Sequence, residues 1–169
     1  YGEEADLERM DLLKNLMQEI EKSKRLPVWE KLVQVYSDYG ERTGEREYTN
    51  LAIELLDEII QAGYGTLVEW LNKAVLLQSI QNYEEAKNWL LKAGGVYPNN
   101  YLIYKRLAFL EMEIQASLEV MQRDYQMFEN YFMVCDELYK SSGVKSEVDL
   151  EMEYLYQVYD EVVVKGWLD

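Results

Sequence analysis

The stretch NYEEAKNWLLKAGGVYPNN, residues 82–100, sets the helical pattern that the rest of the chain follows. Its small residues Ala86 and Ala93 are seven positions apart, which places them on one helix face. Small side chains let two antiparallel helices approach to the short end of the usual range of about 8–10 Å. A double glycine at 94–95 and then Pro98 follow, and both residue types commonly end helices. The stretch therefore predicts a closely packed helix followed by a tight turn.

Helical periodicity continues on both sides of this stretch. Apolar residues three or four positions apart, together with capping residues, predict eight helices, at 3–22, 27–39, 45–61, 66–80, 82–95, 99–117, 124–140 and 146–166. Thr66 and Glu69 have the spacing of a capping box, Ser146 and Asp149 have the spacing of a further cap, and 40–44 is predicted as a polar loop. No segment shows convincing strand alternation, so one all-α domain over 1–169 is expected.

The predicted helices also repeat in pairs. In the middle pair, Trp70, Ala74, Ala86, Leu90 and Pro98 fall at the spacing of the tetratricopeptide pattern. The unit of that pattern is a helical hairpin of about 34 residues. The spacing predicts a right-handed α-solenoid of about three hairpins with flanking helices.

The neighbouring pairs vary this pattern. The first-helix spacing recurs at Trp29, Leu32, Tyr36 and at Tyr104, Leu107, Ala108. Other positions depart from it: Lys73 stands in place of leucine, Val33 in place of glycine and Phe128 in place of a small residue. An irregular helical bundle is the alternative.

The second half of the chain resembles a narrower family. The segments YLIYKRLAFLEMEIQ (101–115), QRDYQMFENYF (122–132) and VYDEVVVKGWLD (158–169) resemble the C-terminal region of clostridia-type bacterial serine/threonine protein kinases. The resemblance implies a tetratricopeptide-like array that follows a kinase domain, often after a membrane span. The sequence itself has no G-x-G-x-x-G, H-R-D or D-F-G motif, so no kinase activity is expected of it.

Composition narrows the classes of function. Acidic residues outnumber basic ones by 32 to 17, giving a net charge of −15, which disfavours nucleic acid and anionic membranes as partners. A basic peptide is electrostatically easier to bind, although strong acidity more often serves solubility than recognition. The chain has no histidine and a single cysteine, Cys135, which is expected to be a buried small hydrophobe. No catalytic residue, metal site or cofactor is therefore predicted.

Two further features of the sequence bear on metal binding and on membrane insertion. The acidic residues Glu147, Asp149, Glu151 and Glu153 alternate, so on a helix they are expected to face water without converging on a metal. No apolar run reaches the roughly 20 residues of a membrane span, so a soluble domain without direct membrane insertion is expected. The chain begins at Tyr1, which is compatible with a piece of a longer protein, either tethered to the bacterial membrane by an upstream span or cytoplasmic.

The tetratricopeptide resemblance implies a binding surface on the concave face, lined by the first helix of each pair. Carried over to this chain, that face comprises Glu30, Gln34, Val68, Leu71, Asn72, Val75, Gln78, Lys105, Arg106, Phe109 and Met112. The predicted peptide-binding residues are Val68, Leu71, Asn72, Val75, Lys105, Arg106 and Phe109. A carboxylate clamp is not expected, because Glu30 and Leu102 stand where lysines are needed. The alternative is that Leu71, Val75 and Phe109 only pack against neighbouring helices.

These observations predict a non-catalytic protein-interaction or regulatory module. The kinase resemblance implies attachment to a serine/threonine protein kinase. The alternative is a self-standing adaptor that assembles a complex or a homodimer. In both cases the expected partner is a protein or peptide segment.

Overall fold

The computed structural model describes residues 2–20, 24–143 and 149–166, and it divides the chain into two compact units, Tyr1–Asn82 and Tyr83–Asp169. Every regular element among the described residues is helical, which confirms the all-α prediction for that part of the chain. None of the described helices combines the length and the apolar character that crossing a membrane requires.

The first unit contains four α-helices: α1 (Glu3–Glu19), α2 (Leu26–Thr43), α3 (Arg46–Gln61) and α4 (Leu67–Ser79). Helix α2 packs against α1 and α3, and α3 packs against α4. Apolar residues at helical spacing on α2 and α3 form the core, among them Leu32, Tyr36, Ala52, Leu56 and Ile59. Among the described residues of α1, Met10 is the buried one, and the predicted continuation of that helix over 21–22 lies outside the described residues.

The predicted polar loop at 40–44 is wrong. Helix α2 continues through Gly40 to Thr43, and the residue that caps it, Gly44, has the left-handed φ of 73° and donates its N–H to the Gly40 carbonyl. Gly40 is buried, and a Cβ there would lie 2.6 Å from Thr49 Oγ1 of α3. Gly40 is thus the point where two helices approach closely, a tertiary constraint that overrides the local preference of the polar sequence.

The start of α4 confirms the predicted capping box. The Glu69 carboxylate accepts the backbone N–H of Thr66 at 2.7 Å and its hydroxyl at 2.6 Å. Gly63 precedes this cap with a φ of 83°, and its freedom to adopt that conformation allows the chain to turn from α3 into α4. The local sequence therefore fixes where α4 begins.

The second unit contains α5 (Tyr83–Val96), α6 (Tyr101–Ala116), α7 (Gln126–Ser141) and α8 (Leu150–Tyr159). A short 3-10 helix, Val120–Gln122, precedes α7, and a π-helical turn, Asp160–Val164, extends α8. Helix α6 packs against α5, α7 and α8. The fully buried side chains of this unit include Leu90, Ile103, Leu107, Leu110, Phe128, Cys135, Met152 and Leu155.

The prediction that the double glycine ends α5 is wrong. Helix α5 runs through 94–95 to Val96, and the turn follows at Pro98 and at Asn99, which has a φ of 61°. Ala86 and Ala93 are fully buried on one face, as their spacing predicts. The two helices of the predicted middle hairpin, α4 and α5, belong to different units, so their pairing stays a prediction.

Polar side chains accept backbone N–H groups at the starts of α6, α7 and α8. Asn100 accepts the Leu102 N–H at the start of α6, one residue after the predicted start. Asp124 accepts the Gln126 N–H at the start of α7. Asp149 caps α8, while its predicted partner Ser146 lies outside the described residues.

Candidate functional site

A groove separates α2 from α4 in the first unit. Its first depression has a volume of about 370 Å³ and is lined by Glu30, Val33, Gln34, Ser37, Asp38, Asn72, Val75 and Leu76. A second depression of about 420 Å³ shares Ser37, Val75 and Leu76 with the first and extends to Gly40, Glu41, Gly44, Arg46, Thr49, Ser79 and Ile80. The two depressions are called the α2–α4 groove below.

The floor of the α2–α4 groove is apolar. Val33 is buried on α2, and Leu76 of α4 is partly buried against the core of the first unit. Val75 leaves 42% of its surface exposed between them. An apolar side chain from another molecule would therefore meet aliphatic surface and displace water from it.

Two amide side chains line the groove from opposite helices. Gln34 belongs to α2 and Asn72 to α4, and both are exposed. The Gln34 Oε1 accepts Lys31 Nζ at 3.3 Å. An amide offers both N–H donors and a carbonyl acceptor, so the pair suits hydrogen bonding to the main chain of an extended segment.

The α2 wall of the groove is acidic. Glu30 and Asp38 line the first depression, and Glu41 lines the second. Arg46 is the cation among the lining residues, and its guanidinium donates to the Ile80 carbonyl at 2.9 Å. The groove therefore presents excess negative charge along one side.

Glu30 lies against a second carboxyl, that of Glu69. Burial raises the pKa of Glu30, and the hydrogen bond and charge of Glu69 raise this pKa further. Burial alone would raise the pKa of Glu69, but hydrogen bonds from Thr66 outweigh it and hold that pKa below its usual range. Of the two pKa values, the repulsion between the carboxyls therefore raises that of Glu30, which lies at the end of the groove.

The structure brings together two of the predicted peptide-binding residues, Asn72 and Val75. They line the groove together with Glu30 and Gln34, which were assigned to the same face. Val68 is exposed and Leu71 partly buried on α4, and neither lines the groove.

The remaining predicted residues lie on α6 in the second unit and contact α8. Lys105 Nζ is buried and lies 3.1 Å from both Asp149 Oδ2 and Glu151 Oε1. Arg106 forms an ion pair with Glu151. Phe109 stacks on Tyr154 with ring centroids 6.1 Å apart, so all three side chains hold α8 on α6.

The expectation that the alternating acidic residues do not converge is wrong for two of them, although one of the two, Glu151, is exposed as expected. Asp149 and Glu151 both reach Lys105, because Asp149 caps the first turn of α8 and Glu151 lies in that turn. Hydrogen bonds from Lys105 hold the pKa of Asp149 below its usual range, although burial opposes this. Glu153 is exposed, and Glu147 lies outside the described residues.

The single cysteine of the chain is the side chain to consider as a nucleophile. Cys135 is fully buried, and burial raises the pKa of its thiol to about 12. Its Sγ lies 3.5 Å from Met152 Sδ in the core of the second unit, which agrees with the prediction of a buried small hydrophobe. Within residues 2–20, 24–143 and 149–166, no group of histidine, cysteine, aspartate or glutamate side chains is arranged to hold a metal ion.

Comparison with protein-family models, with curated proteins and with solved structures finds no match to this chain. Its function is therefore inferred from the geometry and chemistry of the α2–α4 groove.

Sequence reasoning missed several lining residues, among them Ser37, Asp38 and Leu76. For Asp38 a signal existed, because it continues the four-residue spacing of Glu30 and Gln34 along α2. Leu76 gave no such signal, since it follows Val75 directly and an adjacent residue on a helix points elsewhere. Its place in the groove depends on how α4 is rotated against α2 and α3.

Proposed function

We propose that the chain is a non-catalytic protein-interaction module that binds an extended segment of a partner protein in the α2–α4 groove. The observation that carries the proposal is the meeting of Glu30 and Gln34 with Asn72 and Val75 in one groove. These residues come from two helices that are far apart in sequence. The apolar floor can bury a side chain of a bound segment, and the amides can hydrogen-bond its main chain. These two contributions commonly hold extended peptides on proteins.

The lining chemistry supports binding over catalysis. The groove side chains are aliphatic, hydroxyl, amide and carboxylate groups, with Arg46 held on a backbone carbonyl. The chain contains no histidine, the usual general base at neutral pH. The lining groups suit desolvation and hydrogen bonding of a bound segment.

The proposed architecture is a tetratricopeptide-like array of about three hairpins with flanking helices. Within the first unit α2 packs on α3, and within the second unit α6 packs on α7, which supports two of the hairpins. The third would pair α4 with α5. Long-range distances between spin labels on these two helices test this pairing, and separations beyond those of neighbouring helices would contradict it.

Attachment to a bacterial serine/threonine protein kinase is the proposed context. It is supported by the resemblance of 101–115, 122–132 and 158–169 to the C-terminal region of such kinases. The coding sequence upstream of Tyr1 tests it. A kinase domain there supports the proposal, and a start codon immediately before Tyr1 contradicts it.

The binding role is tested by a matched pair of substitutions. Val75→Asp places a charge on the groove floor, and Val134→Asp does the same at a site on α7 of nearly equal exposure, 40% against 42%. Partners captured from a lysate of the source cells by the wild-type chain should be lost with Val75→Asp and retained with Val134→Asp. Circular dichroism of both variants checks whether they remain helical. Equal capture by the two variants would contradict binding in the groove.

A further inference from the structure

The carboxylates of the α2–α4 groove are spaced along one helix. Glu30 and Asp38 are eight residues apart on α2, which is about 12 Å at a rise of 1.5 Å per residue. Gln34 lies midway between them, with the apolar floor of Val33 and Val75 alongside. Along α2, the groove therefore presents a negative charge, then an apolar surface beside an amide, and then a second negative charge.

The surroundings of the two carboxylates differ. Glu30 faces Glu69, a second acid, so its negative charge is poorly compensated at that end. Asp38 lies near Arg42, whose guanidinium is directed mainly to Asp6. A cation brought by a ligand to Glu30 would reduce the repulsion between two carboxyls.

An extended peptide advances about 3.3 Å per residue, so four residues span about 13 Å. Side chains at positions i, i+2 and i+4 of an extended peptide lie on the same side. This spacing matches the distance between Glu30 and Asp38 and places position i+2 over the apolar floor.

Resting on the proposed function, we propose that the α2–α4 groove selects extended segments with Lys or Arg at positions i and i+4 and an apolar residue at i+2. The two cations contact Glu30 and Asp38, and the apolar side chain covers Val75 and Leu76. The amides of Gln34 and Asn72 hydrogen-bond the main chain between the cations. The net charge of −15 adds attraction for such a segment at a distance, and this attraction weakens with added salt.

The test is a selection from a random nine-residue peptide library displayed on phage, with the full chain as bait. Enriched peptides are expected to carry Lys or Arg four residues apart around an apolar residue. Glu30→Gln or Asp38→Asn should weaken binding of a selected synthetic peptide about two- to fivefold, the range of exposed ion pairs. Glu54→Gln is the matched control, since Glu54 is exposed on α3 and lines neither depression.

The outcomes separate this inference from the proposed function. Peptides that lose binding with Val75→Asp but lack the paired cations would overturn the inference and leave groove binding intact. Peptides that bind Val75→Asp as tightly as wild type would overturn both. Failure to enrich any peptide would overturn the inference, while the capture experiment with Val75→Asp and Val134→Asp decides the proposed function independently.

Discussion

The ammonium of Lys105 on α6 lies 3.1 Å from the carboxylate of Asp149, the residue that caps α8. The same carboxylate accepts the Tyr101 hydroxyl at 3.1 Å and the backbone N–H groups of Glu151 and Met152. One acidic side chain therefore caps a helix and ties that helix to its neighbour. A residue predicted to bind a partner, Lys105, is here part of the attachment of α8.

Replacing Lys105 by Met should lower the free energy of unfolding by about 3 kcal/mol, because Asp149 loses the cation that compensates its partly buried charge. Urea unfolding of the full chain measures the change. Lys140→Met is the control, since Lys140 is 69% exposed in its pair with Asp136 and should cost less than about 1 kcal/mol. Equal effects of the two substitutions would contradict a structural role for Lys105.

Two glycine substitutions should change stability in opposite directions. Gly40→Ala places a Cβ 2.6 Å from Thr49 Oγ1 and 3.0 Å from Thr49 N, and should cost about 1–3 kcal/mol by forcing α2 from α3. Gly95→Ala meets nothing within 4 Å on α5 and should add up to about 1 kcal/mol by favouring the helix. Urea unfolding compares them, and a stabilising Gly40→Ala would show that α2 and α3 are not in close contact there.

The Glu30–Glu69 pair should make stability depend on pH. The raised pKa of Glu30 means that its contribution is fully present below the ordinary value of 4.5 and is lost as pH rises through the folded-state pKa. The lowered pKa of Glu69 has the opposite effect, with a contribution present above 4.5 and lost as pH falls through its folded-state pKa. Glu30→Gln should therefore stabilise the fold at pH 7 relative to wild type, and this gain should shrink toward pH 4.

Urea unfolding at a series of pH values measures this difference. Glu54→Gln is the control, because Glu54 lies on α3 and its substitution also removes one negative charge from a chain of net charge −15. A Glu30→Gln effect that does not vary with pH, or that matches Glu54→Gln throughout, would show that Glu30 and Glu69 do not interact.

The thiol of Cys135 should be unreactive in the folded chain, because burial raises its pKa to about 12 and closes access to it. Labelling with a disulfide reagent at pH 8 should be about a hundredfold or more slower than at a cysteine introduced by Ser117→Cys, at an exposed site. Urea should restore fast labelling of Cys135 along the unfolding transition. Fast labelling without urea would place Cys135 at the surface.

Local signals predicted most of the helices. Apolar spacing located the helices, and the Thr66–Glu69 pattern located the start of α4, because both depend on residues close in sequence. The same reasoning misplaced the ends of α2 and α5. The local preference of glycine predicts a helix end at Gly40, whereas glycine is needed there because Thr49 approaches from another helix.

The candidate site was predictable only where it follows helical spacing. Asn72 and Val75 on α4, with Glu30 and Gln34 on α2, were assigned to one face from the repeat, and they meet in the α2–α4 groove. The contacts of Lys105 with Asp149 and Glu151 could not be predicted from the sequence. These partners lie 44 and 46 residues away, and no repeat period connects them to Lys105. Charge pairing across such separations depends on the packing of α8, which the pattern of α6 alone does not specify.

Site-specific photo-crosslinking tests most directly whether the α2–α4 groove binds a protein segment. Benzoylphenylalanine is introduced in place of Asn72, in the groove, and in a separate chain in place of Asn50, which is exposed on α3 outside it. After irradiation in the source cells, position 72 should yield a discrete crosslinked polypeptide, and Val75→Asp in the same chain should abolish it. Crosslinks at position 50 that equal those at position 72, or a product at 72 that survives Val75→Asp, would contradict binding in this groove.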